Sequence, residues 1–167
     1  MFSNNRPKIK IELETIDVII EFLSVTCLII MWLYLLMNYW SLPDTIPTHF
    51  NAKGEADGFS SKHNLWLLPL LNTGIYVLLF VLCSRPHLHN YMVSITVQNA
   101  ERQYKFSSRF LRIVNFCCVL LLSYIVFLMI RGAQDSNSNI GIVFWGLVIT
   151  ISVVLPIIAL VYQQKNK

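Results

Sequence analysis

Charge is scarce in this chain of 167 residues, where Asp, Glu, Lys and Arg together make up 13%, against about 25% in an ordinary soluble domain. Hydrophobic residues reach 55% and the mean hydropathy is +0.56. That shortage excludes a soluble globular class and points to a bilayer as the solvent. Internal repeats and low-complexity tracts are lacking, as are a Walker loop, a GxGxxG fingerprint and an HExxH motif, so nothing invites nucleotide, dinucleotide or zincin chemistry. The four cysteines, Cys27, Cys83, Cys117 and Cys118, form no CxxC pair. Adjacent Cys117 and Cys118 point in different directions on a helix, and no metal or other cofactor is expected. The length suits a single membrane domain over 1–167.

What the sequence has in abundance is uninterrupted apolar stretch. Crossing about 30 Å of hydrocarbon takes about 20 helical residues. Four stretches qualify, at 18–40, 65–83, 110–130 and 140–162. Their hydrophobicity is continuous rather than alternating, which excludes barrel strands and leaves helices as the spanning form. The first ends in Tyr39-Trp40-Ser41-Leu42-Pro43 without a small-x-small cleavage site, so it is read as a retained span. The expected fold is all-α, an up-down bundle of four transmembrane helices.

The thirteen basic residues orient it. Arg6, Lys8 and Lys10 precede the first span. Arg85, Arg102, Lys105, Arg109 and Arg112 lie in or beside the second connection (84–109), and Lys165 and Lys167 end the chain. Only Lys53, Lys62 and Arg131 fall on the other side. The bias predicts cytoplasmic termini, with the connection at 41–64 outside.

That outer connection is longer than joining two antiparallel helices requires, about 2–8 residues. It is therefore expected to form a structured cap over the first two helices, with Trp40 and Trp66 at the membrane interface. Pro43 and Pro47 favour an extended path, while Gly54 and Gly58 permit the positive φ of tight turns. Its pattern is Leu42-Pro43-x-x-Ile46-Pro47-x-His49-Phe50-Asn51-x-x-Gly54-x-x-Asp57-Gly58-x-x-x-Lys62, set between two apolar helices. In this it resembles the bacterial membrane family called domain of unknown function 1648, over about residues 18–83. The later run Asn90-Tyr91-x-Val93-x-Ile95-Thr96-x-x-Asn99-Ala100-x-x-Gln103-Tyr104 is similar to segments that follow this domain in short members. The resemblance implies a bacterial cytoplasmic (inner) membrane protein. Because the family includes immunity proteins that protect a bacterium from its own secreted toxic peptide, it also implies recognition at the outer surface.

Within the cap, His49, Phe50, Asn51, Asp57 and Lys62 are the expected contacts, shaped by Pro43, Pro47, Gly54 and Gly58. A bland alternative has His49 and Asn51 bonding loop backbone, Asp57 capping a turn and Lys62 pairing with a carboxylate or a lipid phosphate. A third reading, from the imidazole and carboxylate groups, is a metal-dependent membrane enzyme centred on His49 and Asp57, with Asp44, Glu55 or His63 in support. A fourth is a structural subunit whose cap docks a larger membrane complex. A peptide or membrane-protein partner is accordingly expected at the outer loop.

On the opposite side, a helix starting near Thr96 is expected to run into the third span. Arg102, Lys105, Arg109 and Arg112 recur on one of its faces at steps of 3, 4 and 3. The stripe reads as a lipid-facing contact for anionic headgroups, or simply as the orientation signal. No folded basic domain remains for nucleic acid. Glu21 and Arg112 lie at matching depths and are expected either to pair across the bundle or to snorkel separately. Asn72 and Asn115 are expected to hydrogen-bond between helices, and Pro156 to kink the fourth span.

Overall fold

The computed structural model describes residues 6–51, 53–135 and 141–165. Ile140, where the fourth span was expected to begin, and Lys167 of the basic count lie outside the described residues. The helices are α1 (Thr15–Asn38), α2 (Leu67–Cys83), α3 (Ala100–Gln134), α4 (Gly141–Ile149) and α5 (Leu155–Lys165), the last two joined by a π-helical turn at Thr150–Val154. Four helical runs are long and apolar enough to cross a membrane: Thr15–Ser41, Lys62–Cys83, Ala100–Gln134 and Gly141–Tyr162. Their continuous hydrophobicity is the signature of a multi-pass membrane protein.

The all-α expectation needs one amendment. Between α1 and α2 stand two antiparallel strands, β1 (Thr45–Phe50) and β2 (Ala56–Ser61), so the molecule is mostly helical with a β-hairpin at one end. Short 3₁₀ turns at Tyr39–Ser41 and Lys62–Trp66 join the hairpin to its helices.

Helix α3 is the organiser. Asp17 of α1 meets Arg109 near the start of α3, and Asn38 of α1 meets Gln134 at its end, so these two helices run parallel. Helix α2 runs the other way, Asn72 lying by Val119 and Ser123, and Cys83 by Ser108. The buried residues of α1, Asp17, Ser24, Leu28, Met31 and Leu35, repeat at steps of 7, 4, 3 and 4 along one face, as a helix seam demands. At 35 residues, α3 is about 50 Å long at 1.5 Å per residue and extends well past the hydrocarbon. Its buried stripe is polar in the first half (Gln103, Ser108, Arg112, Asn115) and apolar in the second (Val119, Val126, Met129, Ile130).

The fourth span departs from an evenly packed bundle. Only 6% of its most apolar window is buried, and it lies against α3, where the rings of Phe106 and Tyr162 stack with centroids 3.5 Å apart. Pro156 lacks an N–H and lies two residues after the π-helical turn that interrupts the span at Thr150–Val154. The amides act as anticipated: Asn72 Nδ2 donates to Val119 O and Ser123 Oγ, both at 3.3 Å, and Asn115 Nδ2 donates to Tyr76 O at 3.2 Å.

Candidate functional site

The hairpin grows directly out of the apolar end of the bundle. Leu42, Ile46 and Leu65 are buried with Tyr39 against Val126, Met129 and Ile130 of α3, and Phe50 packs on the same cluster. Trp66 packs on Tyr39 with ring centroids 5.0 Å apart and planes tilted by 56°, while Trp40 stays 86% exposed. Tyr39 Oη also lies 2.9 Å from His63 Nδ1, which commits that imidazole to the hairpin base.

Asn51 builds the turn. Its Oδ1 accepts from the backbone N–H groups of Lys53 (2.8 Å) and Glu55 (3.1 Å), and its Nδ2 donates to Glu55 Oε2 at 3.0 Å. Gly54 has φ +86°, the left-handed backbone for which glycine is the natural choice. Gly58 serves a different end from the tight turn expected of it. It sits within β2 opposite His49, where a Cβ would come to 2.8 Å from His49 Cβ. Glycine is needed there because a strand lies close, rather than because φ is positive. Pro47 is buried in β1 opposite Phe59, next to a register irregularity, whereas Pro43 is exposed just before the strand. Lys62 closes the base: Nζ donates to Leu42 O at 3.0 Å and lies 3.2 Å from Asp44 Oδ1 and 5.8 Å from the Tyr39 ring centroid.

Seven of the nine motif residues are thus accounted for by shape and anchoring. The remaining two meet on the exposed face. His49 Nδ1 lies 2.5 Å from Asp57 Oδ1, with the side chains 72% and 43% exposed. A carboxylate on Nδ1 fixes the ring and leaves Nε2 outside this contact on a largely exposed side chain. Among the described residues no group of three or more His, Cys, Asp or Glu is placed to hold a metal ion.

At the other end, the basic stripe turns inward for most of its length. Arg109 Nε lies 2.9 Å from Asp17 Oδ1 and its Nη2 2.6 Å from Glu14 Oε2. Lys105 Nζ reaches Glu14 and Glu101 at 3.4 and 3.6 Å, and Arg112 Nε is 3.2 Å from Glu21 Oε1. Arg102 alone of the four is exposed. The lipid-facing assignment is therefore corrected for Arg109 and Arg112, which face carboxylates of α1: Arg109 hydrogen-bonds Asp17 and Glu14, and Arg112 lies beside Glu21 without a hydrogen bond between Nε and Oε1. Glu21 and Arg112 pair rather than snorkel. A sequence signal for the whole ladder existed. Glu14, Asp17 and Glu21, at steps of 3 and 4, complement Lys105, Arg109 and Arg112 on a parallel helix.

Glu14 also caps α1 reciprocally, its side chain accepting from the Asp17 N–H while its own N–H donates to Asp17 Oδ2 at 3.0 Å. Hydrogen bonds from Arg109 and Lys105 hold its carboxyl below the usual range. Helix α3 starts after Asn99 rather than near Thr96. Asn99 Oδ1 accepts from the Thr96 N–H at 2.8 Å, shaping the preceding turn. Nearby, His89 has both ring nitrogens engaged, with Ser107 Oγ at 2.6 Å and Leu82 O at 2.9 Å. Burial lowers its pKa below the ordinary value and raises that of Tyr91 to about 12. Arg6 ties the N-terminal segment to this connection, donating to the carbonyls of His87 and His89 at 3.2 and 2.6 Å.

A family model described as a domain of unknown function, number 1648, matches residues 26–73. The matched stretch is the hairpin together with the parts of α1 and α2 that carry it. An uncharacterized protein of Archaeoglobus fulgidus is 47% identical over 47 residues, which is 28% of this chain and 26% of the relative. The aligned segment spans about a quarter of that curated relative's length. Its source is archaeal, so the segment is not confined to bacteria. No solved structure matches the chain.

Proposed function

We propose that the hairpin is an extracytoplasmic recognition element of a bacterial cytoplasmic-membrane protein, acting in immunity to, or sensing of, a secreted peptide. The observation that carries this reading is the His49–Asp57 pair. It stands exposed on a hairpin whose opposite side is sunk into the core, and a glycine is kept beneath it to let the strands approach. A structural ion pair at such exposure contributes little to folding, about 0–1 kcal/mol. The fixed imidazole suits contact with a partner better. The excess of Lys and Arg on the side of the second connection supports cytoplasmic termini and an outward hairpin. In this reading Pro43, Pro47, Asn51, Gly54 and Lys62 hold the hairpin in shape, Phe50 anchors it, and Arg102 contacts anionic headgroups at the cytoplasmic face.

The test is protection. The chain is expressed in a sensitive host, which is challenged with culture supernatant of a strain secreting the toxic peptide. Wild-type expression is expected to raise survival, and His49→Ala or Asp57→Ala is expected to abolish the gain at unchanged membrane abundance. Equal protection by the variants at equal abundance would refute the assignment.

A further inference from the structure

At the end of the bundle away from the hairpin, a cavity of about 290 Å³ lies between the segment before α1, the last turn of α2 and α3. Leu13, Phe80 and Pro86 supply apolar wall, and Glu21, Arg112 and Lys10 supply the charged groups. The two serines of the wall are already committed to α2, Ser108 Oγ donating to Cys83 O at 3.0 Å and Ser84 Oγ to Phe80 O at 3.3 Å.

Arg112 is 8% exposed. Its Nε is near enough to Glu21 Oε1 to attract it, yet neither atom makes a hydrogen bond, so the pair is misaligned. The other oxygen of Glu21 accepts from Tyr76 Oη at 3.2 Å, which holds the carboxylate in this position. A guanidinium presents five N–H groups in a planar fork suited to a second oxyanion. With Lys10, the cavity carries two positive groups against one carboxylate. That balance, on mostly apolar walls, complements a single negative headgroup on an apolar body.

We propose that this cavity binds a carboxylate or phosphate carried by an apolar chain. Arg112 takes the oxyanion, Lys10 closes on it from the exposed side, and the chain lies along Leu13, Phe80 and Pro86. The site is independent of the hairpin, which lies at the far end of the bundle. Its volume equals about ten water molecules at 30 Å³ each. That admits a headgroup and the first few methylenes, with the remainder of a longer chain extending into lipid.

The experiment is equilibrium dialysis of the full chain in dodecyl maltoside, with radiolabelled dodecanoate and dodecanol as the probes. Dodecanoate is expected to be retained about tenfold better than the alcohol, the difference one charge-assisted contact makes. Lys10→Gln should reduce that preference several-fold, and the paired change Glu21→Gln with Arg112→Gln, which leaves no lone charge, should erase it. Ser84→Trp, at an exposed position on the rim, serves if the paired variant fails to fold, and should block retention by bulk. Displacement by phosphatidylglycerol but not by inorganic phosphate supports the site and identifies a membrane lipid as the source, whereas displacement by inorganic phosphate and not by the lipid would show that the apolar chain plays no part and overturns the proposal. Equal retention of acid and alcohol, or retention unchanged in Lys10→Gln and Ser84→Trp, overturns it.

Discussion

The two ends of the bundle handle charge in opposite ways. At the hairpin end the core is apolar, built from Leu35, Ile46, Leu65, Val126 and Ile130, and its ion pair His49–Asp57 is left in the open. At the basic end the charges go inside, where Asp17, Arg112 and Glu21 are buried or nearly so between α1 and α3. A buried pair contributes chiefly through what its loss leaves behind, a lone charge with no water. An exposed pair leaves nothing behind. The two ends should therefore answer mutation differently, the basic end in stability and the hairpin in interaction.

The largest expected effect is at Arg112. Replacing it by Ala leaves the nearly buried Glu21 without its counter-charge, at about 3–5 kcal/mol, while Glu21→Gln with Arg112→Gln should recover most of that loss. Chemical unfolding in detergent measures both, and a paired variant as damaged as the single one would break the comparison.

Next is Ile46→Ala, which empties a fully buried site under the hairpin and should cost about 2–5 kcal/mol. This loss should appear as proteolysis of the 45–61 segment, with the contact between α1 and α3 at Arg109 intact. Cleavage spread evenly over the chain would show that the ends are one cooperative unit.

A smaller effect is pH-dependent. Burial lowers the His89 pKa from its ordinary 6.5, so the folded form prefers the neutral ring and the unfolded chain binds the proton more readily. Stability from this residue is fully present above about 6.5 and is lost as pH falls from there toward the lowered folded value. His89→Gln should flatten the dependence of Tm on pH in that window. The Glu14 carboxyl, also held low, gives its contribution up only below 4.5, in a separate range. An unchanged slope in His89→Gln would remove His89 from the account. Smallest of all, His49→Ala should change stability by less than about 0.5 kcal/mol, a contrast with Arg112 that sharpens the comparison most.

Much of the helical frame was legible because a bilayer imposes a requirement that sequence cannot disguise. Continuous apolar stretches, and amides such as Asn72 and Asn115 within them, are read directly. The hairpin was not legible as strands. Thr45-Ile46-Pro47-Thr48-His49-Phe50 buries adjacent residues Ile46 and Pro47 rather than alternate ones, and its register is broken on either side of His49. Gly58 reads as a turn residue until its partner across the sheet is known, since close approach of two strands is a tertiary fact. The spacing of the basic stripe was plain, but its direction was not. Only the parallel packing of α1 on α3 brings Glu14, Asp17 and Glu21 to the face where Lys105, Arg109 and Arg112 lie.

The proposed function requires the hairpin to face outward and the ladder to face the cytoplasm. Labelling with a membrane-impermeant maleimide in intact cells tests this directly, using Asp57→Cys and Arg102→Cys in a chain whose four native cysteines are replaced by serine. Labelling at 57 in intact cells, and at 102 only after permeabilisation, is the expected result; the reverse pattern would contradict it.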